Sequence, residues 1–99
     1  MTIKEKRDAN SLVVEISGRV DSVTAPELAE YLKEAIQGVE DLTLNFRDVD
    51  YVSSAGLRVM LYAQKTMNAQ GGTLVLTNVN DDIKDTLELT GLLGVLKIK

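Results

Sequence analysis

The chain has 99 residues, of which 44% are hydrophobic and 26% are charged, a composition typical of one globular domain. Its formal net charge is -4 and its lysines and arginines are scattered, so it lacks the basic patch that nucleic-acid binding requires. Cysteine and histidine are absent, which excludes disulfides, thiolate nucleophiles, imidazole bases and the usual zinc sites. We therefore expect a single domain over residues 1–99 that does not bind nucleic acid.

The hydropathy pattern gives no sign of a membrane or export segment. Residues 1–8 are mostly polar and charged, so the apolar core of a signal peptide is not evident. No apolar run approaches the roughly 20 residues of a membrane-spanning helix. We expect a cytoplasmic protein without membrane insertion, and a monomer, because no unpaired apolar stripe stands out.

A β-hairpin is predicted at the beginning of the chain. Apolar residues occupy alternate positions in residues 12–17, the period-two pattern of a half-buried strand. Turn-forming residues fill positions 8–11 just before it, so residues 3–7 are expected to pair with this strand. Lys4 and Lys6 would protect the outer edge of that first strand.

The first helix is predicted to begin at Thr24. Its hydroxyl can cap free backbone amides, and Glu27 follows three residues later, which is the spacing of a capping box. Pro26 is tolerated in a first helical turn. Apolar residues then recur at helical spacing until Gly38, a typical helix terminator.

The middle of the chain predicts a strand, a loop and a second helix. Residues 42–46 alternate between apolar and polar side chains and are predicted to form a strand. Residues 47–52 are predicted to form a loop that leads to the sequence Ser-Ser-Ala-Gly at 53–56. Apolar residues at helical spacing then continue to about Gln70, and the glycine pair 71–72 ends the helix.

The last third predicts one strand, one helix and a final strand. Residues 73–77 are apolar enough for a strand, and Asp81 or Asp82 is expected to cap a helix that ends near Gly91. Residues 95–98 are predicted to form the last strand. Alternation of strands and helices favours parallel pairing with right-handed crossovers, and the leading hairpin makes the sheet mixed. We expect an α/β domain with a mixed sheet of four or five strands and helices packed on it.

An enzyme is the least supported function. Ser54 lies at the junction of a strand and a helix, but a serine nucleophile needs a base within hydrogen-bond reach, and histidine is absent. Pairing with Lys65 or Lys84 remains formally open, although nothing in their spacing favours it. The segment lacks the nucleophile-elbow pattern, and the Gly71–Gly72 pair follows a helix rather than preceding one as in a phosphate loop. No cofactor is predicted.

Three aspartates, Asp21, Asp48 and Asp50, follow predicted strands and precede predicted helices. Functional groups often gather at that edge of an α/β sheet, where two carboxylates can act as acid and base or bind magnesium. The alternative is that each aspartate accepts hydrogen bonds from the amides of its own turn. We favour this alternative because such aspartates are common, and we assign no metal ligand.

Ser53, Ser54 and Gly56 begin the second predicted helix. A serine at a helix N-cap contributes about 1 kcal/mol relative to alanine, which accounts for one serine without any function. Glycine inside a helix costs about 1 kcal/mol relative to alanine, so Gly56 needs a reason. Close approach of another backbone or of a partner protein is the reason we expect.

At residues 18–21, 42–49 and 51–61 the chain resembles the STAS family and, within it, the stand-alone anti-sigma-factor antagonists. Residues 51–61, Tyr-Val-Ser-Ser-Ala-Gly-Leu-Arg-Val-Met-Leu, are similar to the family pattern of an apolar pair, Asp/Ser-Ser-Ser/Thr/Ala-Gly-Leu and an apolar helix. Gly-Arg-Val-Asp at 18–21 looks like the loop before the family's first helix. Residues 42–49 look like the strand and turn before its phosphorylation site. The three matches occur in the family's order and span essentially the whole chain.

The resemblance implies a phosphorylation switch at Ser54. In the family, a serine kinase that is also the anti-sigma factor phosphorylates the serine two residues before the glycine. The unphosphorylated antagonist binds the anti-sigma factor and frees the sigma factor for transcription, phosphorylation releases the antagonist, and a phosphatase resets it. The partner-binding residues that the resemblance implies are Asp21, Ser53, Ser54, Ala55, Gly56 and Arg58, with Asp48 and Asp50 as acidic neighbours.

Two positions depart from many antagonists, and two other functions stay open. Ser53 stands where an aspartate is common, and Ala55 lacks the second hydroxyl of some members. The main alternative is a STAS subunit of a transport or signalling assembly that docks a partner without phosphorylation. A domain that binds a small molecule or nucleotide would need an apolar cleft with fixed polar groups, which the sequence does not indicate.

Overall fold

The computed structural model describes all residues from 1 to 99 and contains one mixed sheet and three helices. The elements in chain order are β1 (Thr2–Asp8), β2 (Ser11–Val20), α1 (Ala25–Ala35), β3 (Asp41–Val52), α2 (Ser54–Ala69), β4 (Thr73–Thr77), α3 (Asp81–Leu89) and β5 (Lys97–Ile98). The strands lie in the order β1-β2-β3-β4-β5, with β1 antiparallel to β2 and all other neighbours parallel. The predicted α/β class and mixed sheet are confirmed.

The core lies between one face of the sheet and the helices. Each helix connects one parallel strand to its immediate neighbour, and right-handed crossovers place all three on the same face. The sheet residues buried on that face are Leu12, Val14, Ile16, Leu42, Leu44, Phe46, Leu74 and Leu76. Residues that alternate with them, such as Glu15, Asn45 and Thr77, are only half-buried. The opposite face of the sheet is therefore uncovered and largely polar.

The predicted hairpin is confirmed, and its second strand is longer than the sequence pattern indicates. Asp8 pairs with Ser11, so the turn consists of Ala9 and Asn10. Beyond residue 17 the strand β2 continues to Val20, because β3 extends alongside it. Because of this extension, β2 ends directly before the β2–α1 turn, at the end of the sheet where the parallel strands have their C-termini.

Residues 47–52 are not the predicted loop, since β3 continues through them to Val52. Its register against β2 shifts twice, once between Glu15 and Ser17 and once between Gly18 and Arg19. Aspartate is depleted in β-strands, so the two aspartates in this segment favour the prediction of a turn. The two bulges accommodate the aspartates, and pairing with β2 satisfies the hydrogen-bonding groups of the β3 backbone.

The predicted caps of α1 and α3 are only partly confirmed. Thr24 is the N-cap residue of α1, as predicted, but its side chain makes no capping hydrogen bond, so the predicted capping box with Glu27 is absent. Its hydroxyl instead donates to the Arg19 carbonyl at 2.7 Å. The cap of α3 is Asn80 rather than Asp81 or Asp82, which lie inside the first turn.

Asn80→Ala should lower the free energy of unfolding by about 1 kcal/mol, because it removes an N-cap acceptor. The Asn80 Oδ1 accepts from the Ile83 amide at 2.9 Å, and Nδ2 donates to the Val49 carbonyl at 3.3 Å. Urea denaturation monitored by circular dichroism measures the loss. Asn80→Asp is the control, since it keeps the acceptor and should lose less; equal losses would show that the cap is not the source.

Candidate functional site

The first turn of α2 lies directly against the last residue of β2. The Ser53 amide donates to the Val20 carbonyl at 2.8 Å. A Cβ on Gly56 would lie 2.8 Å from the Val20 Cγ1, 2.9 Å from the Val20 carbonyl oxygen and 2.9 Å from the Val52 Cγ1. These separations are too short for a real Cβ, so only glycine fits. The predicted close approach at Gly56 is confirmed, and the neighbours are the backbone carbonyl of Val20 and the side chains of Val20 and Val52.

The two serines at this helix start have different environments. Ser53 is the N-cap, half-buried, and its Oγ accepts from the Gly56 amide at 3.4 Å. Ser54 is the first residue of the helix and is exposed. No hydrogen bond within the chain involves its hydroxyl. Capping therefore accounts for Ser53 and leaves Ser54 without a structural role.

Alanine at each serine should separate these roles. Ser53→Ala should lower the free energy of unfolding by about 0.5–1 kcal/mol, towards the low end because the capping bond is long. Ser54→Ala should change it by less than about 0.5 kcal/mol, as expected for an exposed side chain without partners. Urea denaturation of both variants in parallel measures the difference. A larger loss from Ser54→Ala would contradict the assignment of Ser53 as the cap.

Asp21 organises the turn that adjoins the start of α2. Its Oδ1 accepts from the amides of Val23 at 3.0 Å and Thr24 at 3.1 Å. Its own amide donates to the Thr24 Oγ1 at 2.9 Å, and its Oδ2 lies 3.5 Å from the Arg19 Nε. The carboxylate thus accepts hydrogen bonds from the amides of its own turn, which is the alternative that the sequence favours. Because Asp21 follows Val20, this turn borders Ser53 and Ser54.

The pKa of Asp21 is lowered, first by the hydrogen bond from the Thr24 amide and then by that from the Val23 amide. The folded state therefore binds a proton more weakly than the unfolded chain. The resulting stability is present above the unfolded pKa of about 3.9 and is lost as pH falls through the lower folded pKa.

Asp21→Asn should accordingly cost more stability at neutral pH than in acid. Asparagine keeps an acceptor oxygen for the turn but has no charge to titrate. Urea denaturation of the wild type and of Asp21→Asn at about pH 7 and about pH 3 measures the free energy of unfolding. The difference in this free energy between the two proteins should be smaller at about pH 3. The pKa of Glu5 is also lowered, first by the Tyr31 hydroxyl, but this effect is common to both proteins. A pH-independent difference would contradict the assigned role.

Arg19 and Tyr51 form a contact that the sequence does not reveal. The two residues are paired between β2 and β3, and the Arg19 guanidinium carbon lies 4.5 Å from the centroid of the Tyr51 ring. The second register shift creates this pairing, so no spacing along the chain indicates it. Together with the ion pair to Asp21, the contact fixes Arg19 beside the turn.

The structure does not bring Asp48 to Ser54. Asp48 pairs with Ser17 and lines a small polar depression on the uncovered face of the sheet, four residues before the end of β3. At about 3.3 Å per residue it lies roughly 13 Å short of that end. Asp50 is exposed within the second bulge, two residues before Val52. Neither aspartate forms an ion pair with a lysine or arginine.

The remaining site residues predicted from sequence lie on α2. Ala55 is half-buried against the core, whereas Arg58 is exposed and follows Ser54 by one helical turn. Tyr62 and Lys65 are exposed farther along the same face. We call Ser54, Arg58, Tyr62 and Lys65 the outer stripe of α2. Asp21, Ser54 and Arg58 thus belong to one end of the molecule, formed by the β2–α1 turn and the start of α2.

The surface around Ser54 has no enclosed ligand pocket. The depressions on the uncovered face of the sheet are small and polar, and a groove beside Tyr62 between α1 and α2 is shallow and open. Acidic side chains do not gather in a group of three that would hold a metal ion. None of the helices has the length and apolar character needed to cross a membrane.

Comparison with known proteins shows the family. Residues 1–99 match the STAS domain. An anti-sigma-B factor antagonist of Bacillus subtilis is 32% identical over 98 residues, which cover 99% of this chain and 90% of that protein. This agreement confirms the resemblance found at residues 18–21, 42–49 and 51–61.

Solved structures share the fold. An anti-sigma factor antagonist from Mycobacterium paratuberculosis has a TM-score of 0.86 at 21% identity, covering 98% of this chain and 83% of that one. The Bacillus cell fate determinant SpoIIAA in its phosphorylated form has a TM-score of 0.77 at 17% identity, covering 99% and 91%. At these identities the likeness establishes the fold alone. Together with the family match over residues 1–99, this shows that the chain belongs to the STAS-domain family, in which its similar relatives are anti-sigma-factor antagonists.

Proposed function

We propose that this chain is an anti-sigma-factor antagonist whose binding is switched by phosphorylation of Ser54. The unphosphorylated chain binds an anti-sigma factor that is also a serine kinase, and this frees a sigma factor for transcription. Transfer of a phosphoryl group to Ser54 releases the antagonist, and a phosphatase restores it. The chain acts in the cytoplasm as a monomeric binding protein rather than an enzyme, without contact with nucleic acid or insertion into a membrane.

The observation that carries the proposal is the free hydroxyl of Ser54. It is exposed, unbonded and not needed as a cap, because Ser53 has that role. A kinase can therefore reach it without unfolding the helix. In the relative SpoIIAA, a phosphorylated form with the same fold is known, so a STAS domain tolerates the modification.

The chemistry of the helix start supports a switch that leaves the fold intact. Phosphorylation adds about -1.5 to -2 charge near neutral pH. The free amides and the dipole at a helix N-terminus favour that charge, so the antagonist itself remains folded. A partner surface shaped for a neutral hydroxyl meets both bulk and charge, and close like charges across an interface cost several kcal/mol. Asp21 in the adjoining turn adds to the negative charge on this side.

The surface that would bind the partner surrounds Ser54. Val23 in the adjoining turn is 82% exposed, and Tyr51 at the end of β3 is 44% exposed, so two segments that adjoin Ser54 each carry an exposed apolar side chain. Arg58 adds a cation one helical turn away. Aromatic and arginine side chains often dominate binding energy at interfaces. Gly56 contributes indirectly, since it lets the helix start approach the β2–α1 turn.

The experiment that tests the proposal is capture from host extract with tagged wild-type chain and the Ser54→Ala variant. Phosphate on the wild-type chain is located by mass spectrometry. We expect phosphate on Ser54 and an anti-sigma factor with a kinase domain that is retained more strongly by the alanine variant. Ser54 unmodified under several growth conditions, with a transport or signalling assembly captured instead, would favour the docking subunit that does not switch.

A further inference from the structure

Arg58 is a cation without an anionic partner on the outer stripe of α2. It is exposed, follows Ser54 by four residues in a continuous helix, and forms no ion pair in the unmodified chain. The other arginine near the site, Arg19, is already engaged by the Asp21 carboxylate and the Tyr51 ring. Of the two cations on α2, Arg58 and Lys65, Arg58 is the one close enough in the helix to meet a new negative charge at position 54.

The spacing suits such a contact. Residues four apart on a helix have Cβ atoms about 5–6 Å apart, and an anion placed N-terminal to the cation is the favourable orientation. The guanidinium offers several N–H donors in a planar fork that matches phosphate oxygens. The side chain of Arg58 can thus reach a phosphate on Ser54 without any change in the backbone.

We propose that Arg58 is the intramolecular partner of the phosphate on Ser54, in an ion pair that forms only after phosphorylation. This proposal rests on the phosphorylation of Ser54 proposed above. Before modification, the guanidinium lies in solvent on the partner-binding surface. After modification, it folds over the phosphate. Phosphorylation then changes the surface twice, because it adds a negative group and withdraws a positive one.

The ion pair has a consequence that can be measured on the phosphate itself. The second pKa of phosphoserine is about 6, and a neighbouring guanidinium favours the doubly charged form. Asp21 in the adjoining turn acts in the opposite direction, and Arg19 is partly neutralised by it. Arg58 should therefore lower the phosphate pKa, and its removal should raise it.

The test uses the full chain with phosphoserine inserted at position 54 during translation, so that no kinase is required. Phosphorus-31 NMR follows the phosphate titration in the wild-type sequence, Arg58→Gln and Arg58→Lys. We expect the phosphate pKa to rise by about 0.3–0.7 unit in Arg58→Gln, the size of an exposed ion pair, and by less in Arg58→Lys. Lys65 is another exposed cation on the outer stripe, so Lys65→Gln is the matched control. It should leave the phosphate pKa unchanged.

A second measurement needs no variant. In nitrogen-15-labelled chain, the Arg58 Nε–H resonance should shift, and its hydrogen exchange should slow, only when position 54 carries the phosphate. Equal phosphate titration in wild type and Arg58→Gln, or an Arg58 resonance insensitive to the phosphate, would overturn the proposal. Because the phosphate is installed without a kinase, this result is independent of whether the cell phosphorylates Ser54.

Discussion

Gly56→Ala is expected to lower the free energy of unfolding by about 2 kcal/mol, although alanine is the better helix former. The substitution alone should gain about 1 kcal/mol of helix propensity. Here the added Cβ meets the Val20 carbonyl oxygen and both valine Cγ1 atoms at 2.8–2.9 Å. Overpacking of this kind costs about 1–3 kcal/mol and sometimes more, and a backbone carbonyl cannot rotate away as a flexible side chain can. With the packing cost near its upper end, about 3 kcal/mol, and a propensity gain of about 1 kcal/mol, the net loss is about 2 kcal/mol.

Thermal denaturation measures this effect, and a loss of 2 kcal/mol corresponds to roughly 10 °C in a domain of this size. Gly94→Ala is the matched control, because a Cβ there meets nothing within 4 Å and the φ angle is not in the left-handed region. That variant should be neutral or slightly stabilised. A Gly56→Ala variant as stable as Gly94→Ala would contradict the close approach of α2 to β2.

The position of Gly56 shows what the sequence could predict about the site. A glycine within a helical pattern costs helix propensity, and that cost alone predicts a close approach. Which atoms approach depends on the pairing of β2 with β3, a long-range contact. In the same way, the sequence places serines 53 and 54 at a helix start but leaves open which of them is the cap. The backbone path decides it: Ser53 is extended at the cap position, and Ser54 is already helical.

The end of β3 shows why part of the site could not be predicted. Local composition favours a turn at Asp48 and Asp50, and the extended conformation arises from pairing with a strand far away in sequence. The bulges then decide which residues of β2 and β3 face each other, and so bring Arg19 to Tyr51. Strand β4, by contrast, matches the predicted residues 73–77, because its apolar pattern and the flanking turns agree.

Ser54→Asp is expected to weaken binding to the anti-sigma factor at least tenfold, while Ser54→Ala keeps wild-type affinity. A tenfold loss is about 1.4 kcal/mol, less than the several kcal/mol that juxtaposed like charges cost, because one carboxylate carries less charge than a phosphate. Both side chains are exposed at position 54, so neither variant should disturb the fold. Isothermal titration calorimetry with the purified partner measures the difference.

Ser53→Asp is the control for position. Ser53 is half-buried and its side chain turns towards the Gly56 amide, where aspartate is an equally good cap. A charge held there should affect the partner less than a charge on the exposed neighbour. If Ser54→Ala lost the partner as severely as Ser54→Asp, charge repulsion would not be the mechanism. If Ser53→Asp and Ser54→Asp lost equal affinity for the partner, a negative charge anywhere at the start of α2 would weaken binding, and the effect would not be specific to position 54.

The most direct test of the switch follows release of the complex by ATP. The antagonist and its anti-sigma factor are mixed, ATP is added, and the remaining complex is measured by native mass spectrometry together with the position of the phosphate. We predict that ATP dissociates the wild-type complex with phosphate on Ser54, whereas the Ser54→Ala complex persists. Dissociation of the Ser54→Ala complex by ATP to the same extent, or phosphate on Ser53 of the released wild-type chain, would contradict a switch at Ser54.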